Sequence, residues 1–209
     1  MQILLRQRGV SLIRARRPER AGDRPPWHGP VRGRERGFTL VELLITMTVA
    51  VVLIMIAVPS FKSLTLSNKL NTTANDIVNA IHVARMEAVK RNANTQMCSN
   101  SASANGTSDL LGVACGTEAG AVYAMSGAAP SQVLAGTSGI TAPIQLNGDM
   151  TALRFTAQGL ARKVGTTTPY GDIVVDICTS QMSTDNHRVI RMTAGSILAT
   201  TTTSGNCPS

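Results

Sequence analysis

One stretch constrains this chain more than any other. Residues 38–58, FTLVELLITMTVAVVLIMIAV, carry no charge except Glu42. As a helix rising about 1.5 Å per residue, the run is roughly 31 Å long, which matches a bilayer core of about 30 Å. An ordinary secretory signal peptide fits less well, because its apolar region is about 7–15 residues long and ends in a small-residue cleavage site, which is absent here. The side before the run is rich in arginine, so that side should stay cytoplasmic and the remainder should be exported. Glu42 is then costly: an acidic side chain at the centre of a membrane helix is disfavoured by about 2.5–3.5 kcal/mol. A carboxylate kept in such a place calls for a partner.

The net charge of +8 invites a nucleic-acid reading until its distribution is considered. Residues 1–37 hold ten arginines against Glu19, Asp23 and Glu35, a balance of +7. The remaining chain holds ten Lys and Arg against nine Asp and Glu, a balance of +1. The segment is rich in Arg and Pro (RRPER, RPPWHGP, RGRERG) and has no sustained apolar periodicity, so it reads as a disordered leader. A translation start at Val31 would shorten that leader to seven residues.

Pro59 follows the run and should kink a helix that leaves the membrane there. Across 59–93 the residues Leu70, Ala74, Ile77, Ile81, Ala84 and Ala88 recur at spacings of three and four, one apolar stripe on an amphipathic helix that should end near Asn92 to Asn94. From there to residue 209 the texture is Gly, Ser, Thr and Ala, with short β-like runs at 95–99, 121–125, 142–146, 152–156, 171–179 and 187–193, and an edge run at 196–200. Turns are expected at Asn147-Gly148 and Gln158-Gly159. The fold class expected is α+β, a long N-terminal helix packed on a small antiparallel sheet. Four cysteines, at 98, 115, 178 and 207, lie downstream of the apolar run, and an even count in an exported segment suggests disulfides, although spacing alone leaves three pairings open. No CxxC occurs, and His28, His82 and His187 are not placed as ligands beside the cysteines, so neither a metal nor a cofactor is implied.

The segment RERGFTLVELLITMTVAVVLIMIAVPSF resembles the processing and membrane segment of type IV prepilins and type II secretion pseudopilins. The matching features are the basic residues before Gly37, the Gly37-Phe38 junction, Glu42 five residues after it, the apolar run and Pro59. The resemblance implies that prepilin peptidase cuts after Gly37 and methylates the amino group of Phe38. It also implies that Glu42 pairs with that amino group on a neighbouring subunit. The domain would be periplasmic, anchored in the bacterial inner membrane until a filament takes it up.

Downstream, ANDIVNAIHVARMEAVKRN (74–92), LRFTAQG (153–159), IVVDIC (173–178) and RVIRMTAG (188–195) are similar to the GspH/FimT family of minor pilins and pseudopilins. This resemblance implies the pairings Cys98–Cys115 and Cys178–Cys207, and it tilts the reading toward a type IV pilus minor pilin, with the type II secretion pseudopilin as the alternative. Some similar proteins bind DNA during uptake through a basic Gly-Arg-x-Arg loop. Here that stretch reads Gly195-Ser196-Ile197-Leu198, which leaves Arg154, Arg162, Lys163, Arg188 and Arg191 as the residues that could contact phosphate.

No GxGxxG, Walker A, HExxH or GxSxG pattern occurs, and no enzymatic role is expected. His82 reads as an ordinary helix residue, and His187 opens a strand with no obvious acidic partner. Asp172 and Asp176, four apart on one strand, should share a face; they could pair, but a solvent-facing strand edge is the favoured reading. Asn71-Thr72-Thr73 and Asn105-Gly106-Thr107 match the N-glycosylation pattern.

Overall fold

A computed structural model describes residues 37–208, so the leader before Gly37 and the alternative start at Val31 lie outside the described residues. By compactness the chain divides into a unit ending at Ile45 and a unit beginning at Thr46. In the first, Thr39 opens the long helix α1 (Leu40–Arg91). Its hydroxyl oxygen accepts from the Glu42 amide at 3.2 Å, satisfying one of the donors that a helix start leaves unpaired. Glu42 falls in the first turn, where a negative charge suits the helix dipole.

In the second unit α1 runs through Pro59 without a break. All residues from Gly37 to Thr65 are exposed, and burial begins at Leu66. From there Leu66, Leu70, Thr73, Ala74, Ile77, Ala80, Ile81, Ala84 and Ala88 are buried. This is the stripe expected from periodicity, widened by Leu66, Thr73 and Ala80. The helix closes with Asn92 in the left-handed region (φ 48°). The amide of Ala93 reaches back to the Ala88 carbonyl at 3.2 Å, and that of Asn92 to the Val89 carbonyl at 3.3 Å. This paired closure uses carbonyls that a helix end would otherwise strand, and Asn tolerates the required backbone better than most residues.

Two antiparallel sheets pack on the stripe, where the sequence suggested one. The first has the order β3 (Ala129–Leu134), β2 (Val122–Ser126), β1 (Thr95–Met97), β5 (Leu153–Phe155), β6 (Ala161–Lys163). The second has the order β4 (Gln145–Leu146), β7 (Ile173–Cys178), β8 (His187–Thr193), β9 (Ile197–Thr203). Met97, Val122, Met150, Leu153, Phe155, Ile177, Ile190 and Met192 meet Leu70, Ile77 and Ile81 in one core. β3 and β6 are absent from the sequence reading for a physical reason: APSQVL contains a proline and ARK is mostly charged, so neither alternates visibly. Two short helices, α2 (Ala102–Asn105) and α3 (Leu110–Cys115), also went unread. The run 142–146 contributes only the two-residue β4, preceded by a cis Ala142-Pro143 bond. The turn glycine Gly159 has φ 74° and sits close enough to α1 that an added Cβ would lie 3.2 Å from Val89 Cγ2.

Candidate functional site

The N-terminal segment is a charged point on an apolar cylinder. Phe38 is 77 % exposed, and Leu40, Val41, Leu43, Leu44 and Ile45 are all more than half exposed. So much bare apolar surface is not sustained in water. The helix is long and apolar enough to cross a membrane, and a spanning helix satisfies its own backbone groups, as lipid requires. Among the described residues, nothing lies within 4 Å of a Cβ built on Gly37. Within this setting Glu42 is the single acidic group of the first turn.

Beyond the anchor, the chain invests its polar chemistry in closing loops. Cys98 and Cys115 are joined with Cα atoms 5.4 Å apart, and Cys178 and Cys207 with Cα atoms 5.8 Å apart. The first loop is filled by Asn105, fully buried, whose side chain bonds the Ser99 amide at 2.7 Å and the Ser99 and Gly116 carbonyls at 3.0 Å. Its burial leaves no room for a sugar, so the pattern at Asn105 is not a glycosylation site. Asp109 caps α3 through the Gly112 amide at 2.9 Å and receives both arms of Arg154 at 2.9 Å. That guanidinium, followed by the backbone donors, holds the Asp109 carboxyl below the usual carboxylate range against the effect of its burial. The second disulfide ties residues 204–208 across the second sheet. There Asn186 exchanges two bonds of 3.0 Å with Gly205, and the Asp185 amide bonds Ser204 Oγ at 2.8 Å.

The five basic residues singled out for phosphate contact do not form one free face. Arg154 is committed to Asp109 and also donates to Gln96. Arg188 is 5 % exposed and bonds Asn71 at 2.6 Å, Ser67 at 2.9 Å and the carbonyls of Asp185 and His187 at 2.8 and 2.9 Å. It faces α1 beside Ile190 and Met192. Arg191, three positions on, faces the opposite way by strand alternation and pairs with Asp172 at 3.3 Å. Arg162 is half-buried, its Nε without a partner among the described residues, and Lys163 is exposed. Pro59 sits within α1, exposed.

Two expectations need correction. Asp172 and Asp176 do not share a face of one strand, because Asp172 precedes β7 and the register shifts between Ile173 and Val175. Such a bulge breaks the alternation that would have put both on one face. Asp176 turns instead to His187, whose Nδ1 lies 2.9 and 3.0 Å from its two oxygens, with Asn147 donating at 2.8 Å. His187 therefore has an acidic partner, although none was legible in the sequence. Its side chain is 4 % exposed, and its Nε2 is buried with no partner among the described residues. The signal that could have found the pair was the hairpin register, which sets His187 opposite Cys178 and so diagonal to Asp176 on the same face. Arg85 was also missed. From the helix it bonds the Ser196 carbonyl at 2.7 Å and lies 6.0 Å from the Phe155 ring, stapling α1 to the turn between β8 and β9. His82 lies on α1 and is exposed. No group of His, Cys, Asp and Glu among the described residues could hold a metal ion.

Comparison with known proteins places these features. The family model described as type II transport protein GspH matches residues 73–196. The model described as the prokaryotic N-terminal methylation motif matches residues 32–58. No curated protein and no solved structure matches the chain.

Proposed function

The chain belongs to the family of type II transport protein GspH and is a pilin-like subunit of the pseudopilin and minor-pilin class; from that premise we propose that it is a minor pilin of a type IV pilus-like filament, structural and not catalytic. The observation that carries the assembly role is Glu42, a lone carboxylate in the first turn of a helix exposed along its apolar length. Prepilin peptidase cuts after Gly37 on the cytoplasmic face and methylates Phe38. The new amino group of a neighbouring subunit then meets Glu42. In a medium of low dielectric the two charges attract strongly, and pairing offsets the cost of removing each from water. Glu42 thus sets the register of the subunit in the filament. The ten arginines before Phe38 favour a cytoplasmic N-terminus, with the disulfide-closed domain in the periplasm. Oxidising surroundings suit the Cys98–Cys115 and Cys178–Cys207 bonds.

The two closed loops favour a pilus over a secretion machine, because a Gly, Ser and Thr-rich domain carried on an external fibre gains most from covalent closure. Deleting the chain in its native host decides between them. The expected result is loss of surface fibres with protein secretion intact. Loss of secretion with normal fibres would assign the chain to a type II secretion pseudopilus instead.

A further inference from the structure

Asparagine is among the thermally labile residues. When glycine follows it, no side chain shields the next backbone amide from the asparagine carboxamide. The chain has two such pairs, Asn105-Gly106 and Asn147-Gly148, and the fold treats them oppositely. Asn105 is fully buried, its side chain committed to the Ser99 amide and the Ser99 and Gly116 carbonyls. The Gly106 amide donates to the Ser103 carbonyl at 3.4 Å. A Cβ at Gly106 would lie 3.0 Å from Val164 Cγ1. Neither water nor a rearranging side chain has room there.

Asn147 and Gly148 are exposed in the turn that follows β4. Gly148 has φ 88°, and nothing lies within 4 Å of a Cβ built on it. The turn is pinned on both sides of this glycine. The Asn147 amide donates to the Asp176 carbonyl at 2.9 Å, and the Asp149 carboxylate accepts from Asn100 at 3.1 Å. The Gly148 amide itself has no hydrogen bond among the described residues. The Asn147 side chain donates to Asp176 Oδ2 at 2.8 Å, on the carboxylate that also faces His187 Nδ1.

We propose that Asn147 is a site of spontaneous deamidation, protected at Asn105 by the fold, and that the modification loosens the edge of the second sheet. The Gly148 amide nitrogen loses its proton to hydroxide and attacks Asn147 Cγ. The N–Cγ bond forms, the Cγ–Nδ2 bond breaks, and Nδ2 takes a proton from water and leaves as ammonia, restoring the hydroxide. Water then opens the five-membered imide at either carbonyl, giving aspartate or isoaspartate. The sum is amide and water to acid and ammonia, with no oxidant and no enzyme. Aspartate at this position replaces a donor by an acceptor, so a hydrogen bond to Asp176 becomes a contact of like charges. Isoaspartate adds a methylene to the backbone just after β4, which pairs with β7 through Gln145 and Leu146 alone. Gln145 also donates to Cys207 Sγ at 3.2 Å, so the disturbance reaches the tail closed by the second disulfide. This inference is independent of the choice between pilus and secretion machine.

The test incubates the full chain in detergent micelles in mildly alkaline buffer and follows both peptides by mass spectrometry. Asn105 reacts only after local opening, so the amide-to-acid mass gain should accumulate at Asn147 at least about ten-fold faster. In concentrated urea the two sites should react at the same rate. Equal rates in the folded protein would overturn the proposal. So would a difference that persists unchanged in urea, which would assign the selectivity to neighbouring sequence and not to the fold. The aged protein and an Asn147→Asp variant should both melt below the fresh wild type. Wild-type melting of both would remove the effect on the sheet. If the variant fails to fold, the melting of aged wild-type protein still decides.

Discussion

The first half of α1, residues 40–65, and the second, residues 66–91, are one continuous helix with two different solvents. The first is exposed on every side and, through Val58, apolar on every side apart from Glu42, so no contact among the described residues explains its composition. The second buries one stripe, from Leu66 to Ala88, and leaves charges such as Lys69, Asp76 and Lys90 outside it. The difference teaches that hydrophobicity all round and hydrophobicity at spacings of three and four are separate instructions. One seeks lipid and the other seeks a sheet. It also explains why Glu42 and the buried polar groups behave differently. On the function proposed above, the carboxylate of the first half pairs with a cation on another molecule. The polar groups of the second half find theirs within the fold.

The largest effect that would break this contrast is a charge placed in each half. Ile77→Asp sets an unpaired carboxylate where exposure is 0 %, and the domain should fail to fold in circular dichroism or proteolysis. Val51→Asp in the first half should leave domain melting unchanged and weaken membrane insertion by about 2.5–3.5 kcal/mol, read from carbonate extraction. A wild-type melting curve for Ile77→Asp would remove the distinction.

Next in size is the junction of the halves. Arg188 reaches Ser67 and Asn71, where α1 first meets the second sheet. Arg188→Met should cost about 2–3 kcal/mol in denaturant unfolding, because Asn71, Ser67 and two carbonyls lose their donors. Arg191→Met, on the outer face, should change stability by less than about 1 kcal/mol. Equal losses would mean that strand position does not separate the two.

Glu42→Val tests the first half alone. Processing after Gly37, followed by mass spectrometry, should be intact, as should domain melting. Incorporation into sheared filaments should fall about ten-fold, equivalent to about 1.4 kcal/mol. Wild-type incorporation would dismiss the pairing role.

The smallest effect concerns acid. Asp109 has its folded pKa lowered, first by the Arg154 bond, so its contribution is present above the ordinary carboxyl value of about 3.9 and is lost as pH falls through the folded value. The carboxylate is 40 % exposed, which keeps the contribution below about 1 kcal/mol after solvent screening. Asp109→Asn should therefore flatten the acid limb of a melting-temperature profile below about pH 4 and shift it only slightly at pH 7. An unchanged acid limb would show that the Arg154 pair carries no pH-dependent stability.

Much of the architecture was legible because it is local. Leu70, Ala74, Ile77, Ile81, Ala84 and Ala88 are all buried, as their spacing required. The strands at 153–155, 173–178 and 187–193 fall inside the runs that alternation suggested. The site was less legible. Asn105 looks like a loop residue with a glycosylation pattern and is instead the fully buried post of the first disulfide loop. Asp176 and His187 are eleven residues apart and meet because the β7–β8 register sets His187 opposite Cys178, two positions from Asp176 on the same face. Arg188 reads as a surface charge on a strand until the sheet is laid on α1.

By itself the sequence determined the anchor, its lone carboxylate and the apolar stripe, since composition and period act through the nearest neighbours of each residue. Only the tertiary structure decided that the strands form two sheets and which charges are consumed inside the fold. Those outcomes depend on register between distant segments, and a shift of one residue sends every following side chain to the other face.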